Sequence, residues 1–395
     1  MAALDERAVT TRTAVSGPES PDQAGPGTYR SPWRIIWVSK ALIGVAILVG
    51  IYCGFDFDQF RSVYARWPQT NIPAIASKFS SWDTAHYLIL SQDGYQAGSP
   101  SCAFYPLWPA AIRVASYLSF GSPVIGALLL SNALSFAALW MFYRLVSRAC
   151  GTQVGGRSLV LLLAFPGAMF FSFPYTESLY LLLVMCFLWE LEKGKYFWPC
   201  SLGFLMPLTK AVGIFIVVPW AWHLWSNRKP LRYWLLLAAP VLGYASYFAL
   251  MWANTGNPFE GFEAQKSYPY APSIKNMFNV AAFAHAFMGA GSLDGMMDAV
   301  LDRGLFLLLL VSLPFIYRLN KTWFFYTLPV GLIPALTSYC MSYRRYLMVC
   351  FPVFVLLSLR LQGTNSRWLL WYYVLILSEL QFWAVTRFMN FYWAG

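Results

Sequence analysis

The sequence predicts an all-α protein that crosses a membrane many times. Three observations carry this. Of 395 residues, 58% are hydrophobic and only 11% are charged, where a soluble domain has about 25% charged. Apolar runs long enough to span a bilayer, about 20 residues, recur from Ile35 to Phe388. These runs are continuous, and a membrane β-barrel would alternate.

Taken in order, residues 1–33 are rich in Pro, Gly, Ser, Thr and Ala with scattered charge, and read as a disordered cytoplasmic tail. They lack the apolar core of a signal peptide. Residues 34–395 form the transmembrane domain. Spans are expected at 35–55, 121–146, 158–174, 176–191, 197–209, 211–226, 231–253, 304–318, 322–339, 345–360 and 368–388, about eleven crossings by hydropathy. The two runs around Lys210 are short, and read as two spans or as the halves of a broken hairpin. With the N-terminus inside, 17 of the 28 basic residues but only 6 of the 17 acidic ones fall on the inner side. This is the positive-inside pattern. It accounts for most of the net charge of +11, so no nucleic-acid partner is expected. Membrane lipids are the expected surroundings.

The same topology puts two long loops, 56–120 and 254–303, on the outer side. The first contains "FSSWDTAHYLILSQDGY" and then "SCAFYPLWPAAIRVASYL". Each holds a short amphipathic segment suited to lying on the membrane. Seven cysteines show no metal spacing, and Cys53, Cys102 and Cys340 are near enough to the outer side to leave a disulfide open. The three histidines lie far apart. No metal and no cofactor is expected.

Asp83 has two compatible readings. Ser80-Ser81-Trp82-Asp83 has the S-x-x-[DE] pattern of a helix start. A carboxylate partly shielded at the bilayer edge also suits proton abstraction from a hydroxyl. Other polar groups collect on the same face. Tyr175 and Glu177 sit in the turn "FPYTES", where local sequence alone favours Glu177 as the cap of the next span. Lys210 lies in about thirty residues without another charge, so it meets an anion or snorkels to the surface. Arg344 and Arg345 break the positive-inside trend, and arginine geometry suits phosphate. Trp82, His86, Tyr105 and, in the second loop, Gln265 complete the candidate substrate contacts. One acid among cations at a membrane face suits glycosyl transfer from a lipid phosphate. The phosphate leaves already charged, so only a base is required on the other face of the sugar.

"SSWDTAHYLILSQDGY" followed by "CAFYPLWPAAIR" resembles the W-D-x-x-H-[FY]…G-Y…F-[FY]-P-x-x-P block of the PIG-V family, the second mannosyltransferase of GPI-anchor assembly, and its bacterial relatives. "FPGAMFFSFPYTESLYLLL", "LTKAVGI" and "YRRYLMVCFPVF" are similar to three further blocks, in order, with Lys210 where arginine is usual. The resemblance implies a GT-C glycosyltransferase fold and an inverting transfer of mannose from a polyprenyl-phosphate carrier on the non-cytoplasmic face. It makes Asp83 the expected catalytic base. Phosphate contact by Lys210 and by Arg344 or Arg345 is assigned from charge and topology. The acceptor, a glycolipid or another hydroxyl compound, does not carry over. The chain looks like a bacterial member, which implies the cell membrane. The alternatives are a transporter or flippase of a polyprenyl-linked glycan, and a non-catalytic partner subunit.

Overall fold

A computed structural model describes residues 31–53, 67, 75–268, 272–293, 299–362 and 366–395. Most of the expected tail, residues 1–30, and positions 54–66 and 68–74 around the start of the first loop lie outside the described residues. The described residues form α-helices and 3-10 turns with no named strand; the one β feature is an isolated bridge between Ser292 and Ala299.

Five helices are long and apolar enough to cross a bilayer: Pro32–Tyr52, Pro123–Cys150, Leu231–Thr255, Val300–Leu319 and Arg367–Met389. Their outward faces are apolar. Trp37, Leu42, Val45 and Leu48 of the first are exposed, as a lipid-facing helix requires. This supports an all-α integral membrane protein but not the expected count of eleven crossings. Each of the other six expected segments is helical yet short, interrupted or less apolar. Thr152–Ala164 gives way to a 3-10 turn, Pro166–Phe171. Glu177–Glu192 has 16 residues. Phe197–Leu205 and Val217–Ser226 have 9 and 10 residues, joined through an irregular turn at Lys210 and a 3-10 turn, Ala211–Ile216. This is the geometry of the broken-hairpin alternative. Lys321–Ser338 contains Pro329 and Pro334. Tyr343–Val349 and Pro352–Arg360 are separate pieces. Hydropathy counts apolar residues and does not register such breaks. Irregular backbone inside a bilayer is tolerated where protein surrounds it, and every residue of Pro166–Phe171 is buried.

Packing explains why the breaks are stable. Helix Pro123–Cys150 lies along Glu177–Glu192 and Thr152–Ala164, and Pro32–Tyr52 lies along Ser366–Met389. The turn between the third and fourth expected segments is clamped by side chains. Ser131 Oγ donates to Phe173 O, Asn132 Nδ2 to Ser172 O, and Trp108 Nε1 to Pro174 O. Lys40 reaches up from the first helix to Phe171 O and Ser172 Oγ, at 2.8 and 2.9 Å. A charged donor thus satisfies carbonyls that the broken helix leaves free.

The two expected amphipathic segments differ. Leu107–Leu118 buries Trp108 and Ile112 and exposes Val114, Tyr117 and Leu118, an apolar outer face that fits a membrane surface. Asp83–Asp93 is packed into the protein instead, with Thr84, Ala85, Tyr87, Leu88, Leu90 and Ser91 buried. Arg113 donates to Ser91 O and Gln92 O at 2.9 Å, capping its last turn. All seven cysteines are free thiols.

Candidate active site

Asp83 opens its helix but not by the expected cap. The residue before the helix is Trp82, at φ 58° and ψ −134°, and no side chain caps the amides. Ser80 Oγ is turned back to Ala76 O instead. A non-glycine residue in this region costs about 1–3 kcal/mol and persists only where its surroundings hold it. The strained turn delivers Asp83 to the bundle interior. The segment before the paired arginines is similarly strained, with Tyr339, Cys340 and Ser342 all at positive φ.

These two turns bring four charges together. Arg345 Nη1 donates to Asp83 Oδ2 at 2.5 Å. Arg345 Nε donates to Glu177 Oε1 at 2.8 Å, and Lys210 Nζ to the same oxygen at 2.7 Å. Two cations therefore face two carboxylates, and the cluster is neutral. Burial demands this, because an uncompensated charge inside the protein costs several kcal/mol. The Glu177 side chain is 0% exposed, while Asp83 keeps 23%. Asp83 is the carboxylate that an incoming molecule can reach.

Aromatic rings enclose the cations. Arg345 Cζ lies 4.8 Å from the Tyr175 ring, 5.1 Å from Phe170 and 5.7 Å from Trp393. Lys210 lies over Tyr346 at 5.4 Å. Ring faces attract cations and hold the guanidinium without neutralising it. The Trp82 and Trp393 rings meet edge-on at 5.3 Å. Their indole N–H groups and the Tyr175 hydroxyl are buried and have no hydrogen-bond partner among the described residues, and Glu177 Oε2 likewise.

Lys210 is set by its turn. Gly213 N bonds Lys210 O at 2.9 Å, and a Cβ on Gly213 would lie 2.3 Å from the Met206 carbonyl. Only glycine allows so close an approach.

Other candidate residues stand apart from this cluster. Arg344 is 1% exposed, and its Nε and backbone N–H both donate to Asp302 Oδ1, at 3.2 and 3.1 Å. Of the two arginines expected near a phosphate, Arg344 pairs with the buried Asp302, and Arg345 is the one that lies in the cluster. Tyr105 joins a second aromatic cluster, its hydroxyl 3.2 Å from that of Tyr244 and its ring 4.7 Å from Tyr247. Gln265 ends the short helix Glu260–Gln265, which packs on the turn Pro100–Ala103. His86 stacks on Phe104 at 4.8 Å. Its Nδ1 is 3.0 Å from Ser101 Oγ and its Nε2 is 3.2 Å from Tyr268 OH. Tyr268 donates its one proton to Pro100 O. Nε2–H then donates to the phenol and Nδ1 accepts from Ser101, a neutral imidazole. Burial lowers the His86 pKa, and the Asp83 charge opposes this less strongly. His86 thus latches the second long loop to the first.

Sequence reasoning missed Trp393, Phe170 and Asp302. "NFYWAG" reads as a membrane-interface anchor, and Asp302 as a loop acid. Nothing local ties either to residues some fifty to three hundred positions away. Among the described residues, no three His, Cys, Asp or Glu side chains are grouped to hold a metal ion.

A reachable carboxylate thus sits beside two aromatic-caged cations in a membrane bundle with broken helices. Residues 70–226 match the model of the family described as Mannosyltransferase (PIG-V). The match covers under half of the chain and supports a membrane mannosyltransferase similar to that family. The matched stretch holds Asp83, Glu177 and Lys210, and Arg345 lies beyond it. No curated protein matches the chain.

Proposed function

We propose that this protein moves mannose from a polyprenyl-phosphate carrier to a hydroxyl acceptor at the non-cytoplasmic face, with inversion at the anomeric carbon. The observation that carries the reading is the bridging position of Arg345, between a reachable Asp83 and a buried Glu177 that also binds Lys210. Asp83 takes the proton of the attacking hydroxyl. The hydroxyl oxygen bonds to the anomeric carbon, and the sugar–phosphate bond breaks with its electron pair on the phosphate. Arg345 and Lys210 receive that charge. In the structure Arg345 is paired with Asp83, so one of its carboxylate oxygens is engaged. A donor phosphate competes for the same guanidinium. Its arrival therefore loosens Asp83 when a base is required. Glu177 is the positioning residue that holds both cations, and Trp82, Trp393 and Tyr175 supply buried donors around them. Arg344 has no part in this reading.

The test uses purified protein in lipid, labelled polyprenyl-phosphate mannose and a membrane-lipid extract as acceptor pool. Wild type should consume donor and label a product that identifies the acceptor. Asp83→Asn should bind donor without consuming it. Equal consumption by both would refute the role of Asp83. Movement of intact donor between leaflets, without bond cleavage, would establish the transport alternative.

A further inference from the structure

The end of the bundle away from Asp83 carries a second feature that the transfer reaction does not use. Helix Val217–Ser226 runs from the Lys210 turn to this end. Helix Leu231–Thr255 starts here, and its Tyr247 meets Cys102 of the external loop, about 20 Å further on at 1.5 Å per residue. Between the two helices opens a pocket of about 460 Å³ lined by Leu224, Trp225, Ser226, Arg228, Lys229 and Trp234.

Its charge is one-sided. Neither the Arg228 guanidinium nor the Lys229 ammonium has an acceptor or a carboxylate partner among the described residues; Lys229 has only the Tyr196 ring, at 5.6 Å. Arg228 stands at φ 49°, just past the helix end where glycine or asparagine is usual. The turn is closed by Arg228 N on Trp225 O and Lys229 N on Leu224 O, at 3.0 and 2.9 Å. Glycine would make the same turn without strain, so the fold does not require arginine here. The flank is apolar. Trp225, Leu231 and Leu235 are 63%, 81% and 73% exposed, and the last two belong to a helix of bilayer length. Neighbouring cations at this end rest on ring faces, Arg144 on Trp140 and Trp189 and Lys321 on Trp222. That belt places the pocket at headgroup depth.

We infer that this pocket binds the headgroup phosphate of an anionic phospholipid, with Arg228 and Lys229 on the phosphate, Trp225 and Trp234 at the glycerol level and the acyl chains along Leu231 and Leu235. A lipid, not a soluble phosphate, is the occupant because the exposed apolar flank continues from the pocket into the membrane. The inference is independent of the transfer mechanism.

The test is thermal unfolding of the full chain in detergent micelles with added phosphatidylglycerol, phosphatidylcholine of the same acyl chains, or inorganic phosphate. Retained lipid is counted by native mass spectrometry. Phosphatidylglycerol should raise the unfolding midpoint and the other two should not. Arg228→Gln/Lys229→Gln should weaken phosphatidylglycerol binding roughly 30-fold, about fivefold per cation. Arg228→Gly keeps the turn, so it should unfold no earlier than wild type in phosphatidylcholine yet bind phosphatidylglycerol about fivefold more weakly. An equal shift from phosphatidylcholine, a shift from inorganic phosphate, or undiminished binding by these variants would each overturn the proposal.

Discussion

Glu177→Ala, alone and combined with Lys210→Met, measures the bridge at the centre of the candidate site. Glu177 Oε1 accepts from Lys210 Nζ at 2.7 Å and from Arg345 Nε at 2.8 Å. Removing the carboxylate leaves two cations 13% and 9% exposed, with Asp83 as their one remaining carboxylate in the cluster. Breaking a buried pair costs about 3–5 kcal/mol. The lower end, about 3 kcal/mol, applies because Arg345 keeps Asp83 and Lys210 has some solvent. Lys210→Met removes a cation but leaves Glu177 on Arg345, so its cost should be nearer 1–2 kcal/mol. The double variant keeps one cation and one carboxylate, a balanced pair. Its loss should be about 2 kcal/mol smaller than the sum of the single losses, within the range for residues in contact. Denaturant midpoints at one lipid composition give all four corners of the cycle. If the two losses add within about 0.5 kcal/mol, Glu177 and Lys210 do not share a buried charge balance, and the positioning role fails.

Other expectations follow from the same contacts. Asp83→Asn should reduce turnover by about 10²–10⁴, the contribution of a general base, with little change in stability because Arg345 keeps Glu177; the labelled-donor assay reads this directly. Arg344→Ala should lower stability by about 3–5 kcal/mol, since it breaks a buried ion pair with Asp302, yet leave the donor KM of the folded fraction unchanged. Trp393→Ala should raise donor KM, and Trp393→Phe should recover the ring contact with Arg345 but not the buried N–H. Acid should weaken the latch between the two long loops. His86 has a folded pKa below its unfolded value of about 6.5. Its contribution is therefore complete above pH 6.5 and lost as pH falls toward the folded pKa. Hydrogen exchange of residues 260–268 between pH 7 and pH 5 should show the loosening, and His86→Phe should flatten it.

The composition and the unbroken apolar runs were enough to define a helical membrane protein, because the bilayer admits few other structures. The same sequence marked Asp83, Glu177, Lys210 and Arg345 as charges out of place in apolar surroundings. Charge is expensive there, so its position is informative even before the fold is known. Hydropathy failed where the site begins. "PGAMFF" and "AVGIFI" are as apolar as any span, yet they form the 3-10 turns Pro166–Phe171 and Ala211–Ile216.

Partner choice belonged to the tertiary structure. Arg344 and Arg345 are adjacent and look alike in sequence. One donates to Asp302 in the core, and the other bridges Asp83 and Glu177. Consecutive residues in a helix point about 100° apart, so a turn of backbone separates a structural ion pair from a catalytic candidate. Trp393 reaches the same cluster from the far end of the chain. What the sequence determined by itself was which groups the bilayer makes costly. Which of them meet depended on long-range packing, because each buried charge takes its nearest compensating neighbour in space and not in sequence.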